Sequence, residues 1–228
     1  MSLTAYSADD TPSEHTDLTS TPLRRVSRDD LAGDAVSTAR RLLGTLIVRN
    51  DGSQRLVVRI VETEAYAGPT DRASHARAGR TPRTAVMFGP PGHAYVYLVY
   101  GMHHCLNVVC GPDGEAAAVL IRAVEPLTGL TRMRERRGQS DGPAARLAAG
   151  PARTCQALGI DRTLSGVDLI TDERLWLATD PTAPSAAPDI IDGRRIGVAY
   201  AGPEWAERPW RFGLAGSAAL SKPFTRGR

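Results

Sequence analysis

Lysine is almost absent from this chain of 228 residues: one of its 28 basic side chains, Lys222, is a lysine and the rest are arginine. Lys222 is followed by proline, so no Gly-Lys-Ser/Thr phosphate loop exists, and a nucleophilic or Schiff-base lysine elsewhere is excluded. Cysteine is scarce too. Cys105, Cys110 and Cys155 are too few, and odd in number, for a disulfide framework. No apolar run reaches the ~18 residues that a membrane-spanning helix needs. Met1–Leu23 is polar, without the basic-then-apolar layout of a secretory signal. With 42% hydrophobic and 23% charged residues, the expectation is a soluble, cytoplasmic globular protein.

The net charge of +3 is unevenly spread. Residues 1–23 carry Asp9, Asp10, Glu14 and Asp17 and no basic residue, leaving 28 basic against 21 acidic side chains on 24–228. The tail has few large apolar residues to offset its ordering entropy, so 1–23 is expected to be disordered and 24–228 to fold. Guanidinium groups suit bidentate phosphate contacts, which makes nucleic acid a reasonable partner. Base composition of the coding DNA would produce the same arginine preference.

The spacing of Leu31, Ala35, Val36, Ala39, Leu42 and Leu43 predicts a helix capped by Ser27 and stopped by Gly44. Strands are expected at Thr45–Arg49 and Leu56–Ala65, then a long irregular segment over 67–92, of a length that is usually functional. Ala94–Tyr100 and His103–Cys110 read as a β-hairpin with a tight glycine turn, and Ala116–Val124 as a further strand. Helices are expected at Thr131–Arg137 and Ala152–Leu158, a proline-rich loop at Asp180–Asp189, and closing strands at Arg195–Ala199 and Arg211–Leu214. No internal repeat or composition break divides the chain, which reads as one mixed α/β domain.

Alternation in Val61-Glu62-Thr63-Glu64-Ala65-Tyr66 places Glu62, Glu64 and Tyr66 on one face. Carboxylates at the end of a buried strand need a reason, because burying charge is costly. Each could pair with an arginine from the 72–83 segment, or one could be a general base in a cleft. The following loop supplies Asp71, Arg72, His75, Arg77, Arg80 and Arg83, a set suited to an anionic ligand. Tyr95 and Tyr97 share one hairpin face, and Tyr95 reads as a core aromatic. Tyr100 sits at the hairpin tip, where an aromatic ring could wedge between base pairs. His103, His104, Cys105 and Cys110 match no zinc pattern, so no metal is expected.

Taken together, Arg59–His75, the Ala94–Asn107 hairpin, Leu120–Pro126, the Gly150-Pro151 and Cys155–Leu158 strings and Pro209–Phe212 resemble the alkyladenine (3-methyladenine) DNA glycosylase family. The resemblance implies an α+β fold, a single mixed domain around a curved antiparallel β-sheet with a protruding hairpin that enters DNA. It implies a monofunctional, monomeric enzyme without metal or organic cofactor that flips damaged purines from double-stranded DNA. By the same resemblance Glu64 is the general base that activates water against C1′, and Arg122 helps hold that water. Tyr66, His75 and Tyr97 surround the flipped base, Asn107 rejects the exocyclic amino group of guanine, and Tyr100 fills the gap in the duplex. Two other readings stay open. A damage-binding protein without turnover would not depend on Glu64. A nucleoside or glycoside hydrolase could use Glu62 and Glu64 as a carboxylate pair, about 6.5–7 Å apart at Cα.

Overall fold

The structure is a computed structural model and describes Leu18 and residues 20–52, 54–183 and 185–224. Among these, one unclosed, all-antiparallel sheet takes in every strand. β1 (Leu46–Asp51) and β2 (Gln54–Tyr66) lie centrally. The hairpin β3 (Ala94–Val99) and β4 (His103–Cys110) joins through β5 (Ala117–Thr128) on one side, and β6 (Leu175–Ala178) closes the other. After β1 ends, β8 (Arg211–Leu214) pairs with Glu62–Glu64 of β2 and brings β7 (Ile190–Gly193) with it. The helices are α1 (Ala35–Arg41), α2 (Leu130–Arg137), α3 (Pro151–Leu158) and the short α4 (Pro203–Ala206).

Several features differ from the expected elements. The helix predicted from Ser27 is broken. Ser27 and Asp30 do bond each other, but they close only a short turn, Asp29–Leu31. The helix starts at Ala35, where the Asp34 side chain accepts from the backbone N–H groups of Val36 and Ser37. Arg195–Ala199 is not a strand: the Ile196 N–H donates to the Glu64 side chain instead of to a neighbouring strand, and the Arg195 side chain turns to Asp71. β6, β7 and α4 are not expected from the sequence, each being a run of only four residues. Most of the tail over 1–23 lies outside the described residues, but Leu18 is buried against Leu46, Val48, Val57 and Trp176.

The two faces of the sheet have different tasks. On one, Leu56, Val58 and Ile60 of β2, Val119 and Ile121 of β5 and Leu106 and Val108 of β4 form the main core with α1 and α3. Strict alternation along β2 would carry Glu62 and Glu64 into that same core. A register break prevents it. Ile60 faces Val124 and Glu62 faces Ala123, so Val61 is the extra residue of a bulge; Thr63 then faces Ile121, so Arg122 is the extra residue opposite. Beyond the bulge Thr63 and Ala65 take the core side, Thr63 bonding the Ala39 carbonyl of α1. The carboxylates are turned to the other face.

At the hairpin tip Tyr100 (φ 51°) and Gly101 (φ 72°) both have positive φ, and the Met102 N–H bonds the Val99 carbonyl. That sign pattern belongs to a type I′ turn, which matches strand twist and is favourable for Asn or Gly, not tyrosine. Tyr100 is 90% exposed, so no packing offsets the strain. Tyr100→Gly is therefore expected to raise stability by about 0.5–1 kcal/mol despite glycine's entropy. An unchanged or lower urea midpoint would show that the turn holds tyrosine without cost.

Candidate active site

The face opposite the main core carries the chemistry. Tyr95 and Tyr97 of β3, Cys105 and Asn107 of β4, and Ala118, Leu120 and Arg122 of β5 alternate onto it. The loop after β2 and the segment around Ile196–Tyr200 fold over these strands and leave a cavity of about 450 Å³. Tyr66, His75, Tyr97, Asn107 and Arg122 all line it, and Tyr100 stands at its edge. All but one of the residues given a role by the family resemblance therefore meet at one place.

The exception is Glu64. Its side chain is 0% exposed and it lies behind the cavity wall. Three lining residues hold it there. The Ile196 N–H donates to Oε1 at 2.7 Å, Arg122 Nη1 pairs with the same oxygen at 3.2 Å, and the Tyr66 hydroxyl donates to Oε2 at 2.8 Å. Glu62 is equally buried, and Arg122 Nε donates to its Oε1 at 3.1 Å. The arginine that neutralises the two carboxylates is thus Arg122, from the neighbouring strand, and none of the 72–83 segment. Among the described residues Arg72, Arg77, Arg80 and Arg83 form no ion pair, and Arg72, Arg77 and Arg83 line a second cavity next to the first. Burial pulls the Arg122 pKa down, but the charges of Glu64 and Glu62 outweigh it and hold it above its ordinary value.

The aromatic walls are fixed by their own contacts. His75 meets Tyr97 edge-on at 4.5 Å, and His75 Nδ1 lies 3.0 Å from the Tyr95 hydroxyl. Tyr95 is core, as read from the sequence, packed with Met87 and Val109. The Asn107 amide donates through Nδ2 to the Tyr95 carbonyl at 3.1 Å, which fixes the side chain at the cavity wall. Burial and the Glu64 charge push the Tyr66 phenol well above its ordinary pKa, so it stays protonated and can keep donating.

Sequence reasoning passed over the anchor beneath Tyr66. Asp71 and Arg195 are both fully buried and pair through both guanidinium arms, Nη2 to Oδ1 at 3.0 Å. Asp71 also accepts from the N–H groups of Ala67 and Ala73, which shapes the turn into the His75 loop. The Arg195 guanidinium lies 4.9 Å from the Tyr66 ring centre and 5.0 Å from that of Trp210. One pair thus ties the loop, Tyr66 and the Arg195–Tyr200 segment together. No local pattern marks Arg195 out, because its partner is 124 residues away.

The sequence as a whole decides the family. A family model described as Methylpurine-DNA glycosylase (MPG) matches residues 29–218. The chain belongs to that family. It is 50% identical over 192 residues to a protein of Anaeromyxobacter dehalogenans, covering 84% of each, and 49% identical to one of Nitrosospira multiformis, covering 86% of this chain and 93% of the other. Both carry the name 3-methyladenine DNA glycosylase as a provisional assignment. A human protein named DNA-3-methyladenine glycosylase is 44% identical over 208 residues, 87% of this chain and 68% of that one. The chemistry of this enzyme class is hydrolysis of an N-glycosyl bond, and DNA is its partner. Among the described residues no His, Cys, Asp and Glu side chains gather into a metal-holding group, and no helix is long and apolar enough to cross a membrane.

Two outcomes are expected. Asp71→Ala leaves the Arg195 charge buried without a partner and should cost about 3–5 kcal/mol in chemical denaturation, as removing one partner of a buried pair does; a loss under about 1 kcal/mol would show that water reaches Arg195. His75 is held neutral, its pKa lowered to about 4 by burial and then by the nearby Arg83 charge. The unfolded chain takes up that proton first, so stability present above about pH 6.5 should fall as pH drops toward 4. Ring-proton NMR should show His75 unprotonated at pH 5.5, and a midpoint near 6.5 would refute the assignment.

Proposed function

We propose that this enzyme removes alkylated and deaminated purines of the 3-methyladenine type from double-stranded DNA by base flipping, leaving an abasic site. The observation that carries this reading is the Glu64 carboxylate, clamped by Ile196, Arg122 and Tyr66 at the back of an aromatic cavity. A carboxylate has about four acceptor directions. Oε1 is engaged twice and Oε2 once among the described residues, so Oε2 keeps one direction for a water molecule.

In this reading the water oxygen attacks C1′, the C1′–N bond breaks with its electron pair going to the base, and the water proton passes to Glu64. Arg122 helps hold the water. Glu64 also opposes the positive charge that develops on the sugar. A cationic base such as 3-methyladenine needs no proton to leave, since bond cleavage neutralises it. Tyr66 covers one face of the flipped base, with His75 and Tyr97 on the other, and electron-rich rings favour a cation by roughly 0.5–2 kcal/mol each. A neutral His75 adds no charge against that cation. Asn107, fixed on the Tyr95 carbonyl, restricts by its bulk which purine edge fits. Tyr100, projecting from the hairpin tip, is suited to fill the space the base leaves. The unpaired arginines beside the cavity suit the phosphates of the opened strand. One chain supplies every residue of the site, so a monomer suffices.

The carboxylate-pair hydrolase is not supported, because of the Glu62 partners Arg122, Ser221 and Arg211 only Arg122 lines the cavity, whereas all three partners of Glu64 do. The decisive assay is release of free base from methylated duplex DNA with chelator present. Glu64→Gln should abolish release while lesion-DNA binding persists, a loss of at least about 100-fold if the base role is right. Turnover by Glu64→Gln at the wild-type rate would remove Glu64 from the mechanism. Binding by the wild type without release would favour a damage-binding protein.

A further inference from the structure

Glu62 is a buried carboxylate that the chemistry above leaves without a task. Its Oε1 accepts from Arg122 Nε at 3.1 Å and from Ser221 Oγ at 2.8 Å, and lies 3.6 Å from Arg211 Nε. Its Oε2 accepts from the Ser221 N–H at 2.5 Å. Ser221 Oγ in turn lies 3.5 Å from Arg122 Nη2. The guanidinium of Arg122 is therefore gripped at all three nitrogens, by Glu62 at Nε, Ser221 at Nη2 and Glu64 at Nη1.

Ser221 belongs to a chain segment, 217–224, that runs back across the sheet. Arg211 holds it by donating to the Lys222 and Pro223 carbonyls at 3.3 and 2.9 Å and by lying 3.7 Å from the Phe224 ring centre. Ala219 of the same segment packs on Val61 and Ala123, the residues of the β2–β5 bulge. A Cβ at Gly213 of β8 would come within 2.8 Å of the Phe224 ring, so the segment is seated closely. The family model ends at residue 218, so the contact that reaches Glu62 lies beyond the matched span.

We propose that Glu62 and Ser221 are positioning residues. Through them the 217–224 segment aims the Arg122 guanidinium at Glu64 and the attacking water. The proposal rests on the glycosylase reading above. Two fixed partners on the far side of the guanidinium leave it one orientation, and a reacting group displaced by about 1 Å can cost on the order of 100-fold in rate. In Glu62→Gln the amide nitrogen must face a donor, whichever way it is turned, so the grip fails without loss of volume.

Three variants, Glu62→Gln, Ser221→Ala and Ser221→Thr, would be compared with wild type in single-turnover base release and lesion-duplex affinity. The Arg122 Nε–H signal would be followed by nitrogen-15 NMR. Glu62→Gln is expected to slow release by about 10- to 100-fold and Ser221→Ala by several-fold, with affinity within about two-fold. Ser221→Thr, which keeps the hydroxyl, should recover most of the rate. The Nε–H signal, expected to be protected in the wild type, should exchange with solvent in Glu62→Gln, which removes its acceptor. Release within two-fold of wild type in both would overturn the proposal, as would loss of affinity in proportion to rate. Should Glu62→Gln not fold, Ser221→Ala decides. If the wild type itself releases no base, the glycosylase reading fails, and the Nε–H signal still tests the grip: protection unchanged in Glu62→Gln overturns it.

Discussion

Two carboxylates without solvent share one guanidinium, and much of this molecule is arranged around that fact. Glu62 and Glu64 would each cost several kcal/mol if buried alone. Arg122, rising between them from the adjacent strand, serves both, with Arg211 near Glu62 as further compensation. Further acceptor directions are met by the Ile196 and Ser221 backbones and by the Tyr66 hydroxyl. The site is therefore rigid because its charges are buried: none of these groups can leave without stranding another.

This arrangement depends on a backbone irregularity. Val61 and Arg122 are each the extra residue of a bulge in facing strands. The bulge rotates the strand ends so that apolar alternation serves the helices before it and polar alternation serves the cavity after it. A regular β2 would bury Glu62 and Glu64 among Ile60, Val119 and Ile121. Bulges commonly re-aim side chains next to active sites, and here the gain is a carboxylate against a cavity instead of in a core.

Much of the site could be read along the chain because its members sit on strands with strict alternation. Tyr95 and Tyr97, Asn107 beside Cys105, and Glu62, Glu64 and Tyr66 share faces by period, and period survives in sequence. The hairpin and its tip at Tyr100 were legible from the glycine turn. The helix at Ala35 was located but begun too early, since Ser27 and Asp30 satisfy each other in a single turn and leave capping to Asp34. The segment at Arg195–Ala199 looked like a strand because it alternates, yet its donors are spent on Glu64 and Asp71. Local pattern cannot reveal where a donor is spent.

What the sequence alone determined are the things encoded by neighbours: which residues alternate onto one face, where turns break the chain, and the order of strings that marks the family. What only tertiary structure decided is which charge meets which. Asp71 with Arg195 and Glu62 with Ser221 are separated by 124 and 159 residues, and no short-range regularity links them. The physical reason is that an ion pair or hydrogen bond depends on distance in space, whereas periodicity records only direction along one element. Ser221 can support Glu62 only after β8 and Arg211 have returned the chain to the bulge.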